Sequence, residues 1–174
     1  MTKADRKKQV ADKVLEKLRH VIRHIKNVQD NCILLAEKLI AAGECDLGRR
    51  LVAHAFLHDN SKFAGLEWET LTPGKPTDAE SAKIKLRLAV ANHSAINPHH
   101  PEYWTSIQDM PKLYKCEMVA DWKARSEEFG TDLRVWINES ASKRFGFSEG
   151  DKTHKEIMEL VDLLCEKPFS EPAS

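Results

Sequence analysis

The sequence lacks the features that mark several common classes of protein. Its four cysteines form no C-x-x-C pair, so we expect reduced thiols in a cytoplasmic protein instead of a zinc ribbon or a disulfide framework. No apolar run approaches the roughly 20 residues that are needed to cross a bilayer. The first residues contain no apolar signal-peptide core. We therefore predict a cytoplasmic protein that has no membrane partner.

Neither sign of charge is in excess. The 27 Lys and Arg residues balance 27 Asp and Glu residues, so the formal net charge is +0. Because binding to a polyanion depends on an excess of positive charge, we do not expect nucleic acid as a partner. The oligomeric state is left open by composition. The sequence also contains no Gly-rich phosphate loop, no internal repeat and no β-strand pattern.

Apolar residues instead recur at helical spacing along most of the chain. The clearest pattern lies between residues 4 and 43, where an apolar seam with the heptad spacing of about 3.5 residues is formed by Val14, Leu18, Val21, Ile25, Val28, Cys32, Leu35 and Leu39. Such a seam is typical of a long core helix. A coiled-coil dimer is the less favoured alternative, because a seam of this length can be buried inside one bundle.

Further helices are predicted from capping residues and from prolines, which mark helix ends. Asp46 can cap a helix that runs to about His58, and Thr77 opens one that runs to about Ile96. Pro111 takes the favoured first position of a helix that continues to Gly130, and residues 132–145 and 152–165 show helical patterns as well. The sequence therefore predicts an all-α, single-domain helical bundle over residues 1–167, with a frayed tail at 168–174.

Histidine is plentiful, with 8 residues, and some of them occur where a metal ligand is expected. The His58-Asp59 pair ends an apolar helical run, and imidazole and carboxylate groups both bind divalent metals, which a carboxylate can also bridge. His24 lies at the edge of the apolar seam, one turn from His20, whose neighbours are charged. Ordinary packing is the alternative for each of these histidines.

The later part of the chain supplies four more candidate ligands. His93 continues the apolar face of its helix. His99 and His100 stand between two prolines that restrict the backbone, and a surface loop with incidental histidines is the alternative. Asp121 lies among apolar residues of its helix, where an unpaired carboxylate would be costly. A metal ion or a salt bridge would remove that cost.

The candidate ligands fall on different predicted helices or at helix ends, in the order His24, His58, Asp59, His93, His99, His100 and Asp121. This order resembles the HD-domain superfamily of metal-dependent phosphohydrolases. Its members place a histidine on one helix, a His-Asp pair on the next and an aspartate on a late helix. The extra histidines, and the H-D-x-x-K pattern that Lys62 completes, resemble the subgroup that holds two or more metals.

The chain is also similar to a family of uncharacterised phage and bacterial proteins. The similarity covers residues 24–28, 58–63, 97–104 and 117–122, which include the motifs HDxSKF and NPHHxEYW. It implies an all-helical, HD-like fold and brings no known substrate.

The resemblance to the HD superfamily implies a centre of two divalent transition-metal ions, with Mn, Fe, Zn or Co as the candidates. One ion would have the ligands His24, His58, Asp59 and Asp121. The second ion would share Asp59 and add His93 and either His99 or His100. Two such ions about 3.5–4 Å apart can bind a phosphate oxygen and lower the pKa of a bridging water.

The same resemblance predicts a phosphohydrolase or phosphodiesterase that acts on a nucleotide or another small phosphoester. Asp59 and Lys62 would be its catalytic residues, with the Lys62 ammonium placed to meet the substrate phosphate. Arg49 or Arg50 is a weaker candidate for phosphate binding. Two other functions stay open, namely a di-iron oxygenase with a similar ligand set and a non-enzymatic helical protein whose metal site stabilises the fold.

Overall fold

The computed structural model of the chain describes residues 2–72 and 78–165, and within these ranges it contains helices and no strand. The helices are α1 (Lys3–Ala41), α2 (Cys45–Ala55), α3 (Gly65–Leu71), α4 (Ala79–Ile96), α5 (Lys112–Phe129), α6 (Leu133–Trp136), α7 (Ser142–Phe145) and α8 (Lys152–Cys165). Short 3-10 turns lie at Asn60–Phe63, Pro101–Tyr103 and Ile107–Asp109, and a π-helical turn, Ile137–Ala141, joins α6 to α7. The prediction of an all-α, single-domain fold is confirmed. In the described ranges, no helix combines the length and the apolar character that crossing a membrane requires.

Helix α1 is the longest element, and only its C-terminal half belongs to the core. Thr2 and Asp5 form a reciprocal capping box that satisfies amide groups at the start of the helix. The predicted seam is buried from Ile25 to Leu39, whereas Val14 and Leu18 are only half-buried. The apolar seam thus extends along α1 beyond the part of the helix that the other helices cover.

Helix α5 lies at the centre of the bundle and packs against α1, α2 and α8. It is buried on almost every side, because Cys116, Met118 and Val119 are each 0 % exposed. Helices α1 and α2 approach closely at Gly48, where an added Cβ would lie 2.6 Å from Ile40 Cγ1. Glycine is the residue that allows this approach. The start of α2 is thus packed tightly against the end of α1.

Helix α2 does not have the limits that the sequence predicts. It begins at Cys45 after Glu44, so Asp46 lies in the first turn and does not cap the helix. There its charge still interacts favourably with the helix dipole. The helix also ends at Ala55, before His58. The expected helix to His58 is therefore wrong, and the His-Asp pair lies in the turn that follows.

Two other predicted helices differ in detail. Helix α5 begins at Lys112, so Pro111 is the residue before the helix. Residues 132–145 form α6, the π-helical turn and α7 instead of one regular helix. Thr77, the predicted cap of α4, lies outside the described residues, as does the predicted tail at 168–174. Within the described residues, Asp78 caps α4 by accepting a hydrogen bond from the Ser81 amide at 2.8 Å.

Helix α4 is held mainly from one side. It packs against α3 and against the turn Pro101–Tyr103. Among its 18 residues, only Ala89 and His93 are buried. The helix therefore joins the bundle through a narrow strip that includes a predicted metal ligand.

Candidate metal centre

The site is built around Asp59, which follows helix α2. Asp59 has a left-handed backbone with φ 57°, and it is the one non-glycine residue with positive φ in the described ranges. This conformation is uncommon outside glycine, and aspartate is among the residues that tolerate it best. His58 and Asp59 are 1 % and 2 % exposed. The turn thus directs two neighbouring polar side chains into the protein.

A first group of ligand atoms gathers on one side of Asp59. His24 from α1, His58 and Asp121 from α5 each offer an atom within 4.8 Å of the others. His24 Nε2 lies 3.0 Å from Asp121 Oδ1. The Oδ2 atom of Asp59 lies 3.6 Å from His58 Nε2 and 3.9 Å from His24 Nε2. These four residues are those that the resemblance implies for one metal ion.

A second group gathers on the other side of the same carboxylate. It consists of Asp59, His93, His99 and His100, again with ligand atoms within 4.8 Å of one another. The Oδ1 atom of Asp59 lies 3.0 Å from His93 Nε2 and 3.6 Å from His99 Nε2. Each oxygen of Asp59 thus faces a different group, which is the arrangement of a bridging carboxylate. His99 and His100 both belong to this group.

Several of these atoms are buried and have no hydrogen-bond partner among the described residues: His58 Nε2, His99 Nε2, His100 Nε2, Asp59 Oδ1 and Asp121 Oδ1. Of the two carboxylate oxygens, Asp59 Oδ1 lies 3.0 Å from His93 Nε2 and Asp121 Oδ1 lies 3.0 Å from His24 Nε2. Buried polar groups are nearly always hydrogen-bonded, and leaving one without a partner costs about 1–3 kcal/mol. Five such atoms facing a common centre are therefore the arrangement expected of metal ligands.

Glutamates contact the Nδ1 atoms of imidazole rings whose Nε2 atoms face the centre. His24 Nδ1 lies 3.0 Å from Glu128 Oε1, and His93 Nδ1 lies 2.8 Å from Glu67 Oε2. Glu117 Oε1 lies 3.0 Å from His58 Nδ1 and 3.3 Å from His99 Nδ1. An imidazole that donates from Nδ1 to a carboxylate presents the lone pair of Nε2.

The role of these glutamates is not among the predictions made from the sequence. Glu117, Asp121 and Glu128 lie at i, i+4 and i+11 on α5 and so share one face of the helix. Three acidic residues at helical spacing on one predicted helix were the available signal. Glu67 of α3 lies far from His93 in sequence and offered no such pattern.

The electrostatics keep the carboxylates ionised. Burial alone would raise the pKa of Glu117, but its contacts with His58 and His99 lower that pKa to about 2. Burial opposes the ionisation of Asp59 and Asp121 in the same way. Contact with His93 and the charges of His58 and Lys62 nevertheless hold the pKa of Asp59 well below its usual range. Contact with His24 chiefly lowers the pKa of Asp121.

His100 is kept as a neutral imidazole. Burial, with a smaller effect from the neighbouring His99, lowers its pKa to about 3. A neutral ring is the form that binds a metal. Its own Nδ1 atom is 4.0 Å from Glu102 Oε2, which is too long for a hydrogen bond. His100 is therefore less firmly oriented than the other rings.

Lys62 lies directly against the bridging carboxylate. Its Nζ atom contacts Asp59 Oδ2 and is 3.3 Å from His93 Nε2. The side chain is 17 % exposed and borders an open cleft. Its ammonium group thus offsets the charge of Asp59 and stands beside the ligand atoms.

Helices α1 and α2 each contain one histidine that lies outside both groups. His20 is exposed on α1, one turn from the buried His24. His54 of α2 packs edge-on against Tyr114 and lies 3.6 Å from Glu117 Oε2. Helix α1 is therefore rotated so that His24, and not His20, faces the centre.

A cleft of about 470 Å³ leads to the ligand atoms. One part of its wall is apolar, and is formed by Val90, Trp122, Phe129, Trp136 and Phe145. Its cationic residues are Lys62, Arg125 and Arg144. Arg49 and Arg50, the arginines singled out in the sequence, do not line it. The cleft is large enough for a small organic ligand.

The π-helical turn helps to form this wall. It separates Trp136 at the end of α6 from Arg144 and Phe145 in α7, and all three residues line the cleft. The Trp122 ring stacks on Phe145 with centroids 5.7 Å apart and meets Trp136 edge-on. Single π-helical turns occur often at functional sites.

Comparison with known proteins identifies the family but no activity. A family model described as "Family of unknown function (DUF5662)" matches residues 13–167, and the chain therefore belongs to that family. The matched range includes every candidate ligand. No curated protein and no solved structure matches the chain.

Proposed function

We propose that this member of the DUF5662 family is a metal-dependent phosphohydrolase that acts on a nucleotide or another small phosphoester. The observation that carries the proposal is the set of buried ligand atoms without hydrogen-bond partners at the base of an open cleft. A purely structural metal site has no need of a cleft. A centre that a ligand can reach suits a reaction.

Two divalent transition-metal ions fit the residues. The ligand atoms are nitrogen and oxygen, without cysteine, and such a set suits Mn, Fe, Zn or Co. His24, His58, Asp59 and Asp121 would hold one ion. Asp59, His93, His99 and His100 would hold the other. When bound, ions of this kind act as Lewis acids on a phosphate oxygen and lower the pKa of bound water.

The surrounding residues orient the ligands and receive the substrate. Glu128 and Glu117 accept hydrogen bonds from the Nδ1 atoms of His24 and His58 and so leave Nε2 of both rings directed to the centre. Lys62 and Arg125 border the cleft, where a positive charge can stabilise the charge that develops on a phosphate in the transition state. The aromatic wall provides an apolar surface on which a nucleobase could pack.

The cationic cleft favours an anionic substrate. Lys62, Arg125 and Arg144 line it, and groups of this kind bind a phosphate. A di-iron oxygenase would use a similar ligand set, and an anionic phosphonate would meet the same three cations. The reaction that is measured with each substrate therefore separates the two functions.

Elemental analysis is the first test. Protein purified without chelator should contain about one to two equivalents of Mn, Fe, Zn or Co. A preparation that contains none of these metals, and does not take them up when they are added, would contradict the metal centre.

The second test addresses the reaction. Manganese-loaded protein should release product from a panel of nucleoside mono-, di- and triphosphates, dinucleotides and cyclic nucleotides. Asp59→Ala should abolish the activity, while His20→Ala, the matched change outside the centre, should retain it. If no phosphoester is cleaved and an iron-loaded sample consumes oxygen with an organic phosphonate or a polyol, the oxygenase function is correct instead.

A further inference from the structure

Helix α4 has a second apolar side that the described residues leave uncovered. Its buried residues, Ala89 and His93, face the bundle. At about 3.6 residues per turn, the opposite side of the helix carries an apolar row, here called the outer stripe: Ile84, Leu88, Ala91 and Ala95. All four residues are exposed, including 49 % of Ile84 and 54 % of Leu88. An exposed apolar row of this kind is a surface that a partner can cover.

The order of residues in the outer stripe shows what can cover it. The first two residues are large and the last two are small. The intervals between the four residues are the same whether they are counted from the N-terminal or the C-terminal end of the stripe. Two copies of α4 can therefore pack antiparallel about a two-fold axis between residues 89 and 90. In this arrangement Leu88 meets Ala91 of the second copy, and Ile84 meets Ala95. A parallel pair would instead set large against large and leave a gap between alanines.

We propose that the outer stripe is the contact surface of a two-fold dimer of this chain. Small side chains allow two helix axes to approach to about 8–10 Å, and a large side chain from the other helix can fill the space above each alanine. A two-fold contact uses the same patch on both copies. The self-complementary order of the stripe meets that requirement, which an unrelated partner would not impose.

The charges beside the stripe allow this pairing. In the antiparallel arrangement, Arg87 faces Asn92 of the second copy and Lys83 faces Ile96. No two like charges stand directly opposite one another. The pairing therefore carries no electrostatic penalty at these positions.

The available area predicts a reversible dimer. An 18-residue helix is about 27 Å long and about 10 Å across with its side chains, so its outer side can bury a few hundred Å² in each copy. Stable complexes bury about 800 Å² per partner, and weaker, transient ones bury less. Association is therefore expected at elevated protein concentration.

Sedimentation equilibrium of the full chain, from about 10 μM to about 500 μM, tests the proposal. The weight-average mass should rise from that of the monomer towards that of the dimer. Leu88→Lys should weaken association at least about tenfold, because it places a charge in the centre of the contact. Val135→Lys, at a residue of α6 that is 51 % exposed, is the matched control and should have no effect. Circular dichroism should show equal helicity in both variants.

An exchange of large and small residues tests the antiparallel register. Ala91→Leu alone should weaken the dimer, because the introduced side chain would meet Leu88 of the second copy. The double variant Leu88→Ala/Ala91→Leu again pairs one large residue with one small residue at each contact, so it should restore association. A chain that stays monomeric over the whole range, or a dimer that Leu88→Lys leaves intact, would overturn the proposal. A double variant no better than Ala91→Leu would exclude the antiparallel contact.

Discussion

The Nδ1 atom of His58 lies 3.0 Å from Oε1 of Glu117, and this contact turns the other ring nitrogen of His58 towards Asp59. Glu117 is 4 % exposed, so the pair is largely shielded from water. The same carboxylate also contacts His99 Nδ1. His58 and His99 lie on different sides of Asp59, so one glutamate contacts a candidate ligand on each side.

Replacement of Glu117 by glutamine should weaken metal binding at both sites. The amide keeps the shape of the side chain but loses the charge that stabilises the two donating imidazoles. Loss of such an outer carboxylate typically costs about 10–100-fold in metal affinity. Competition with a chelator measures the effect. Glu127→Gln, at a more exposed position of the same helix, is the control, and equal losses in the two variants would remove the special role of Glu117.

Removal of Asp59 should cost more metal than removal of His93. The two oxygens of Asp59 face both sides of the centre, whereas His93 belongs to one group. Asp59→Ala should therefore lose both ions and His93→Ala about one. Elemental analysis gives the comparison, after circular dichroism has shown that both variants are folded. Small and equal losses would mean that Asp59 does not bridge.

His24 and His20 should respond differently to the same substitution. They lie one turn apart on α1, but His24 is 2 % exposed and faces Asp121, while His20 is exposed. His24→Ala should lower the metal content, and His20→Ala should leave it nearly unchanged. The reverse result would require α1 to be rotated about its axis.

Substitution of Lys62 should separate turnover from metal binding. Loss of its ammonium group removes a positive charge from beside the substrate, and the loss of one such stabilising group commonly costs about 10²–10³-fold in rate. Lys62→Ala should keep its metal, because Lys62 offers no ligand atom and its positive charge does not assist a cation. The rate is measured on any phosphoester that the wild-type protein cleaves. Lys85→Ala, a half-exposed lysine of α4, is the control. A variant that lost its metal would show that Lys62 supports the ligand geometry instead.

The sequence by itself determined the helical character of the chain, and it singled out most of the side chains that meet around Asp59. Helical periodicity is a local property, so the seam from Val14 to Leu39 predicted α1 without knowledge of its neighbours. The candidate ligands were singled out because their order along the chain resembles that of the HD-domain superfamily. The assignment of a metal, and of a reaction, stays a prediction.

Only the tertiary structure decided how these residues meet. The two oxygens of Asp59 face different groups because a left-handed turn follows α2, and the sequence predicted a helix at that point. Glu67 reaches His93 across the packing of α3 on α4, a contact between residues that no local pattern connects. Arg144 lines the cleft because the π-helical turn and α7 bring it there. Contacts between distant segments depend on how the helices pack, and packing is decided by the whole set of apolar faces at once.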